Sequence, residues 1–566
     1  MHLKTALLSL ALAAATALIP LAATAGNSGA YLAARQAGGD SDFEAAAQYF
    51  ARALISDRNN PELIESTMGS YLSLGDLERA VPLARRMGDL GVESQIASLV
   101  LFGDMAKREA WGEILTALEN GRSVGPLYDG LLKAWAYVGD GSMSMALETF
   151  AAIEEERGTQ AFGLYHRALA LAAVGDFEGA NAIFEGEAGV NLRLTARGVS
   201  AHAEVLVQLE DNAGALAKLD EAIERAPDPY LTSLRGRIAA GGLTPFTVVR
   251  NAVDGIAEMH FSIATALTGE ASDAFTLLYS RIVNSLREDH IEGKILSAEL
   301  LERMDRYELA TVVYDAVPLE HPYFHIAEMG RAEALNQAGR TDAAIEVLTQ
   351  LGKTHADLPI VHVTLGDTLR RLERFEEATA PYDRAIALLD EPVRPHWSLF
   401  FSRGITHERT GNWPQAEADF RKALELQPEQ PQVLNYLGYS FVEMQTNLDE
   451  ALDMIERAVE GEPNSGYITD SLGWVLYRLG RYEEAVVHME RAVELLPVDP
   501  IINDHLGDVY WAVGRLREAE FQWLRALSFD PEPDEARRIR RKLDIGLDAV
   551  LAEEGAEPLQ IANDDG

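Results

Sequence analysis

The chain of 566 residues contains no cysteine. Disulfide bonds and thiolate metal sites are therefore excluded, and we expect no lipid anchor of the kind that is attached through a cysteine. Any fold must be stabilised by the burial of apolar side chains. The hydrophobic content of 47% is ample for that purpose and argues against general disorder.

Positive charge is scarce, with 49 basic against 89 acidic residues and a formal net charge of −40. Nucleic acids and anionic lipid surfaces are bound mainly by lysine and arginine. We therefore expect neither as a partner. The acidity serves solubility or attracts basic partners, and the sequence leaves both readings open.

Signatures of catalysis are also missing, because the sequence has neither GxSxG nor a GxGxxG that follows a strand. His321 and His325 stand four residues apart, but Pro322 separates them and no carboxylate ladder supports a metal site. The LGKT at 351–354 lacks the upstream glycine of a phosphate loop, since Val347 stands there. We predict a protein that is not an enzyme and has no cofactor or metal. An active site within residues 236–286 is the alternative, and a structure with only helix pairs there would oppose it.

The N-terminus has the pattern of a cleaved secretory signal. Lys4 precedes an uncharged apolar run that ends at Ile19, and small residues stand at Ala23 and Ala25. We predict cleavage after Ala25 and export to the bacterial periplasm, free or peripheral to a membrane, and an uncleaved membrane anchor is the alternative. No later stretch is long and apolar enough to cross a bilayer.

The most informative feature is internal repetition. Residues of the same type recur 34 positions apart in the pairs Gly473 and Gly507, Ala485 and Ala519, Ala492 and Ala526, Pro497 and Pro531. Small residues let two helices approach closely, and a proline ends the unit. One such unit cannot bury its apolar face alone, so copies must stack on each other.

This pattern resembles the tetratricopeptide repeat, a helix–turn–helix unit of about 34 residues. The resemblance is strongest from Val363 to Pro531 and continues more weakly towards the N-terminus. It implies an all-α fold, a right-handed α-solenoid in which the first helix of each unit lines the concave side, with a C-terminal capping helix. It also implies protein or peptide partners.

We expect six segments along the chain. They are a signal peptide at 1–25, a degenerate repeat array at 26–235, an irregular helical join at 236–290, a second repeat array at 291–531, a capping helix at 532–554 and a disordered tail at 555–566. The basic residues of the capping helix are expected to form its solvated face, with a basic docking patch as the alternative; they are Arg537, Arg538, Arg540, Arg541 and Lys542.

The family's groove-facing positions can be transferred to the last three repeats. They give the candidate partner-binding residues Asn435, Tyr439, Tyr467, Asp470, Trp474, Tyr477, Asp504, Asp508 and Trp511. Aromatic rings beside carboxylates suit an extended peptide with apolar and basic side chains. The alternative is that Trp474 and Trp511 only pack between neighbouring helices. A clamp for a C-terminal carboxylate is disfavoured, because Tyr439, Trp474 and Asp508 stand where that clamp needs lysine and asparagine.

The resemblance favours a non-catalytic scaffold or adaptor of the bacterial cell envelope that binds its partners in the concave groove. An adaptor in polysaccharide synthesis or export is the alternative, and a glycan-binding test would separate the two. Repeat motifs specify a shape and leave the task open.

Overall fold

The computed structural model describes residues 19–186, 192, 194–556 and 559. Within these residues every regular element is a helix, which confirms the expected all-α fold. Residues 1–18 of the predicted signal peptide and most of the predicted tail lie outside the described residues. The first helix crosses the predicted cleavage point after Ala25. A search of the described part of the chain found no helix with the length and apolarity that a membrane span requires.

The chain divides into two compact units, Met1–Leu351 and Gly352–Gly566, so the segment expected as a join lies inside the first unit. The helices of the first unit are α1 (Ile19–Gly39), α2 (Phe43–Ser56), α3 (Pro61–Ser73), α4 (Leu77–Asp89), α5 (Gln95–Lys107), α6 (Trp111–Glu119), α7 (Pro126–Gly139), α8 (Met143–Glu155), α9 (Gln160–Ala173), α10 (Phe177–Phe184), α11 (Ala196–Gln208), α12 (Asn212–Arg225), α13 (Pro229–Ala239), α14 (Ala252–Leu267), α15 (Asp273–Leu286), α16 (Ile291–Arg303), α17 (Tyr307–Asp315) and α18 (Phe324–Gln337), and the boundary between the units falls within α19 (Thr341–Thr354).

The second unit continues the pattern of short helices. They are α20 (Pro359–Arg371), α21 (Phe375–Ala387), a short 3₁₀ turn (Arg394–His396), α22 (Trp397–Arg409), α23 (Trp413–Leu426), α24 (Pro431–Glu443), α25 (Leu448–Gly461), α26 (Gly466–Arg478), α27 (Tyr482–Leu495), α28 (Pro500–Ala512), α29 (Leu516–Leu527), α30 (Pro533–Ile545) and α31 (Leu547–Glu553).

Five helix pairs from α20 to α29 share one close contact, in which a glycine of the first helix faces a large side chain of the second. The contacts are Gly366 with Tyr382, Gly404 with Phe420, Gly438 with Ile455, Gly473 with Met489 and Gly507 with Trp523. A Cβ atom on Gly404 would lie 2.6 Å from the ring of Phe420, which leaves no room for any other residue. The sequence period therefore reflects one packing contact made five times.

The C-terminal cap consists of two helices, where the sequence predicted one. Gly546, with φ of +83°, separates α30 from α31, and this left-handed conformation favours glycine. Ile539, Leu547 and Val550 of these two helices are buried. Lys542 departs from the expected solvated face, because it is only 1% exposed.

The segment expected as an irregular join contains a loop, residues 240–251, followed by the well-formed helices α14 and α15. These two helices pack against each other and form a hairpin. Helix α15 contacts α3 and α5, and α14 contacts α7 and α9. We call the surface formed by α3, α5, α7 and α9 the inner face of the first unit.

Candidate functional site

The inner face of the first unit is filled by the hairpin of α14 and α15. Gly255 of α14 lies so close to the fully buried indole of Trp135 on α7 that a Cβ atom would overlap the ring. On α15, the Nε of Arg281 donates to the carbonyl of Ser73 on α3 at 2.9 Å. Trp135 and the C-terminal end of α3 are therefore in contact with the chain's own hairpin.

A buried carboxylate of the hairpin is held by several partners. Glu258 on α14 is 1% exposed and accepts hydrogen bonds from Arg197 at 2.5 Å and from the Tyr165 hydroxyl at 3.0 Å. It also lies 3.3 Å from Nε2 of His290. Burial alone would raise the pKa of Glu258, but Arg197 and His290 hold it well below its usual range. The carboxylate is thus a charged partner in a closed cluster, and this arrangement stabilises the hairpin.

The described residues contain no group of three or more side chains that could hold a metal ion. The sequence singled out His321 and His325 as a pair four residues apart, and these two histidines belong to no such group. His321 lies within aromatic contact distance of Tyr230, with ring centroids 5.9 Å apart, and of Tyr323. His325 is 9% exposed.

The second unit presents an open cavity of about 440 Å³ between α22, α24, α26 and α28, which we call the groove cavity. Its lining includes acidic, aromatic and polar side chains together with two exposed apolar ones. These residues are Glu408, Arg409, Trp413, Asn435, Tyr436, Tyr439, Ser440, Glu443, Met444, Tyr467, Asp470, Ser471, Ile501 and His505.

Four of the candidate residues line the groove cavity, namely Asn435, Tyr439, Tyr467 and Asp470. Tyr467 is 60% exposed at the rim. Burial, together with Glu443 and Asp470 nearby, raises the pKa of Tyr439, so its phenol stays neutral. Together they give the cavity both aromatic surface and hydrogen-bonding groups.

Two further candidates lie beneath the cavity. Trp474 and Tyr477 are 9% and 6% exposed and stack on each other with ring centroids 4.8 Å apart. The indole of Trp474 donates to Glu443 at 3.1 Å and stacks on His505 at 4.0 Å. Trp474 therefore packs between neighbouring helices, which was the alternative to a position exposed in the groove.

His505 connects this stack to Asp470. Its Nδ1 lies 3.0 Å from the Asp470 carboxylate. Burial lowers the pKa of His505, but Asp470, Asp504 and Asp508 outweigh that effect and raise it above its ordinary value. The imidazole is thus favoured as a cation that neutralises Asp470.

The last three candidates are covered by the C-terminal helices. The Nζ of Lys542 donates to Asp504 at 2.8 Å and to Asp508 at 2.5 Å. Asp508 also accepts from the indole of Trp523 at 2.9 Å. The indole of Trp511 donates to Asp548 of α31 at 3.0 Å. Asp504 and Asp508 therefore already have a cation of the same chain, Lys542, as their partner.

Sequence reasoning missed several lining residues, among them Glu408, Tyr436 and Glu443. The Tyr436 hydroxyl donates to Glu408 at 3.1 Å, which ties α24 to α22. Glu443 stands one helical turn after Tyr439, so the spacing of four residues was a signal that could have found it. His505 and Ser471 were missed because the transferred positions skip them.

Comparison with known proteins identifies part of this unit. The sequence model of the tetratricopeptide repeat matches residues 363–431, 401–467 and 470–497, which run from α20 to the loop that follows α27.

Two curated relatives match shorter stretches. The "TPR repeat-containing protein PA4667" of Pseudomonas aeruginosa is 26% identical over 156 residues, which are 27% of this chain and 26% of that protein. The "Lipoprotein NlpI homolog" of Haemophilus influenzae is 35% identical over 85 residues, 15% of this chain and 27% of that protein. The aligned stretches thus span 26% and 27% of the curated relatives' own length.

Among solved structures, a chain in the crystal structure of the APC/C hetero-tetramer Cut9–Hcn1 aligns with 91% of this chain and 96% of its own length. The identity is 13% and the TM-score is 0.36.

Proposed function

We propose that the chain is a tetratricopeptide-repeat protein that acts as a non-catalytic adaptor of the bacterial cell envelope. It binds an extended segment of a partner protein in the groove cavity of the second unit. Proteins of this family generally mediate contacts between proteins, and in this chain the groove cavity has that role.

The observation that carries the proposal is the difference between the two inner surfaces. In the first unit, α14 and α15 occupy the inner face with their own side chains. In the second unit, the groove cavity is open and lined by Tyr436, Tyr439 and Tyr467 beside acidic residues. Aromatic side chains in a concave, partly apolar site are typical of protein recognition.

An envelope location is supported by two features. Residues 1–25 have the pattern of a secretory signal. One curated relative is named as a lipoprotein. Fractionation of cells that express the full chain, followed by detection with an antibody, tests this part separately, and a protein found only in the cytoplasm would contradict it.

The binding role is tested by placing a photo-crosslinking amino acid at Tyr467, at the cavity rim, in the full chain in its own cells. The matched control carries the same probe at Phe521, which is 62% exposed on α29 and outside the cavity lining. We expect a discrete protein adduct from Tyr467 that Phe521 does not give. Identical adducts from both positions, or none from Tyr467, would argue against the groove as the binding site.

A further inference from the structure

Two consecutive repeats place a basic side chain over the same two positions of their first helix. In α28 these positions are Asp504 and Asp508, and Lys542 bridges them. In α26 the corresponding residues, 34 positions earlier, are Asp470 and Trp474. His505 covers this second pair, with Nδ1 3.0 Å from Asp470 and its ring stacked on the indole at 4.0 Å.

The repeat before them has no such side chain. Its corresponding residues on α24 are Asn435 and Tyr439, and the residue that corresponds to His505 is Ser471. The Ser471 hydroxyl is short and donates to the carbonyl of Tyr467 at 3.0 Å. The side-chain oxygen of Asn435 has no hydrogen-bond partner among the described residues. Asn435, Tyr439 and Ser471 all line the groove cavity, which lies where the neighbouring repeats hold a cation.

Charge around the cavity favours a cation as well. Glu408 and Glu443 face it against the single basic residue Arg409, while Asp470 is paired with His505. The exposed ring of Tyr467 at the rim offers a surface along which an aliphatic stem can pack.

We propose that the groove cavity takes a lysine or arginine side chain of the partner protein, in the place that His505 and Lys542 fill in the two following repeats. This inference rests on the proposed function and adds the chemistry of the anchor. The basic head group donates to the Asn435 oxygen and lies beside Glu443 and Asp470, and the stem packs on the tyrosine rings.

The comparison between the repeats suggests the variant that tests this inference most specifically. Ser471→His places an imidazole at the position that corresponds to His505, where it fills the cavity from within the chain. Ser471→Ala is the matched control, because it removes the hydroxyl and leaves the cavity open. Asn435→Asp adds the carboxylate that Asp470 and Asp504 supply in the other two repeats, and it is expected to tighten the binding of a cation.

The full chain is used to select binders from a phage-displayed library of random peptides, and the selected peptides are measured by fluorescence anisotropy. We expect peptides that share a lysine or arginine and bind wild type and Ser471→Ala alike. Replacing that residue by norleucine should weaken binding roughly 10- to 100-fold, as expected for a hydrogen bond to a charged group. Ser471→His should weaken it similarly, and Asn435→Asp should strengthen it. Circular dichroism checks that each variant is folded.

The alternatives lead to different results. Selected peptides that lack a basic residue, but whose binding is blocked by Ser471→His, would overturn this inference and keep the proposed function. If Ser471→His weakens the binding of none of the selected peptides, the inference and the proposed function both fail. A second copy of the chain as the occupant would appear as a dimer in sedimentation that Ser471→His dissociates, and this result would also overturn the inference.

Discussion

The substitution Lys542→Met tests the capping contact directly. The side chain of Lys542 is inaccessible to solvent, and its ammonium donates to Asp504 and Asp508. Methionine keeps a similar unbranched shape, so the change removes the charge with little change in packing. Asp508 then stays buried with Trp523 and, at 3.5 Å, Arg538 beside it, and the Asp504 side chain, which is 15% exposed, loses its cation. Removal of one partner from a buried ion pair costs about 3–5 kcal/mol.

The free energy is measured by native-state hydrogen exchange of the amides in α30 and α31, because stability in a repeat protein is local. A loss of about 3 kcal/mol corresponds to exchange that is roughly 150-fold faster. The penalty should fall as the pH is lowered, since burial raises the pKa of Asp504 and protonation removes its charge.

Arg541→Met is the matched control for this substitution. Arg541 lies one position earlier on α30 and pairs with Glu553 at the exposed surface. Its removal should leave exchange of the same amides nearly unchanged, because exposed ion pairs contribute little to stability. If Lys542→Met accelerates exchange no more than Arg541→Met does, the assignment of a buried bridging cation is refuted.

Three further predictions follow from close contacts and one titration. Gly404→Ala should destabilise the second unit by about 1–3 kcal/mol, because its Cβ atom would overlap Phe420, and urea unfolding measures the loss. Gly255→Ala should loosen the hairpin of the first unit, which limited proteolysis in residues 240–251 would detect; unchanged cleavage would contradict the tight packing. The pKa of His505 is raised, so its pairing with Asp470 should stabilise wild type relative to His505→Asn fully below about pH 6.5. That advantage should disappear as the pH rises through the raised pKa, and melting temperatures that differ equally at all pH values would contradict it.

The repeat and its helix pairs could be predicted from the sequence, because one contact recurs with one period. Gly473 and Gly507 stand at the same place in their units, and each faces a large side chain of the next helix. The transferred positions also placed Asn435 and Asp470 on the cavity side of their helices. These features depend on local spacing, which a single sequence contains.

The sequence could not predict in this way which groove positions are covered by other side chains of the chain. Whether Trp474 or Asp508 faces an open cavity depends on His505 and Lys542, which in each case lie two helices further along the chain. Lys542 also looks like its exposed neighbours in a basic run, and only the packing of α30 distinguishes it. Position within one repeat is therefore insufficient to identify an open site.

The surface against which α14 packs could not be predicted either, although the largely apolar sequence of this helix indicated that it is buried. Residues 254–260 of this helix are all buried, so it is enclosed on every side. A helix that is largely apolar all round is typical of a buried element. The sequence indicated a helix here and could not say which surface would enclose it, because that depends on packing between distant segments.

The central claim is that a basic side chain of a partner protein enters the groove cavity, at the position that His505 and Lys542 fill in the two following repeats. It is tested most directly by measuring the adduct from a photo-crosslinker at Tyr467 in cells, in the Ser471→His and Ser471→Ala backgrounds. The account predicts that the adduct persists with alanine and is lost with histidine, at equal protein levels. An adduct of equal intensity in both backgrounds would contradict it.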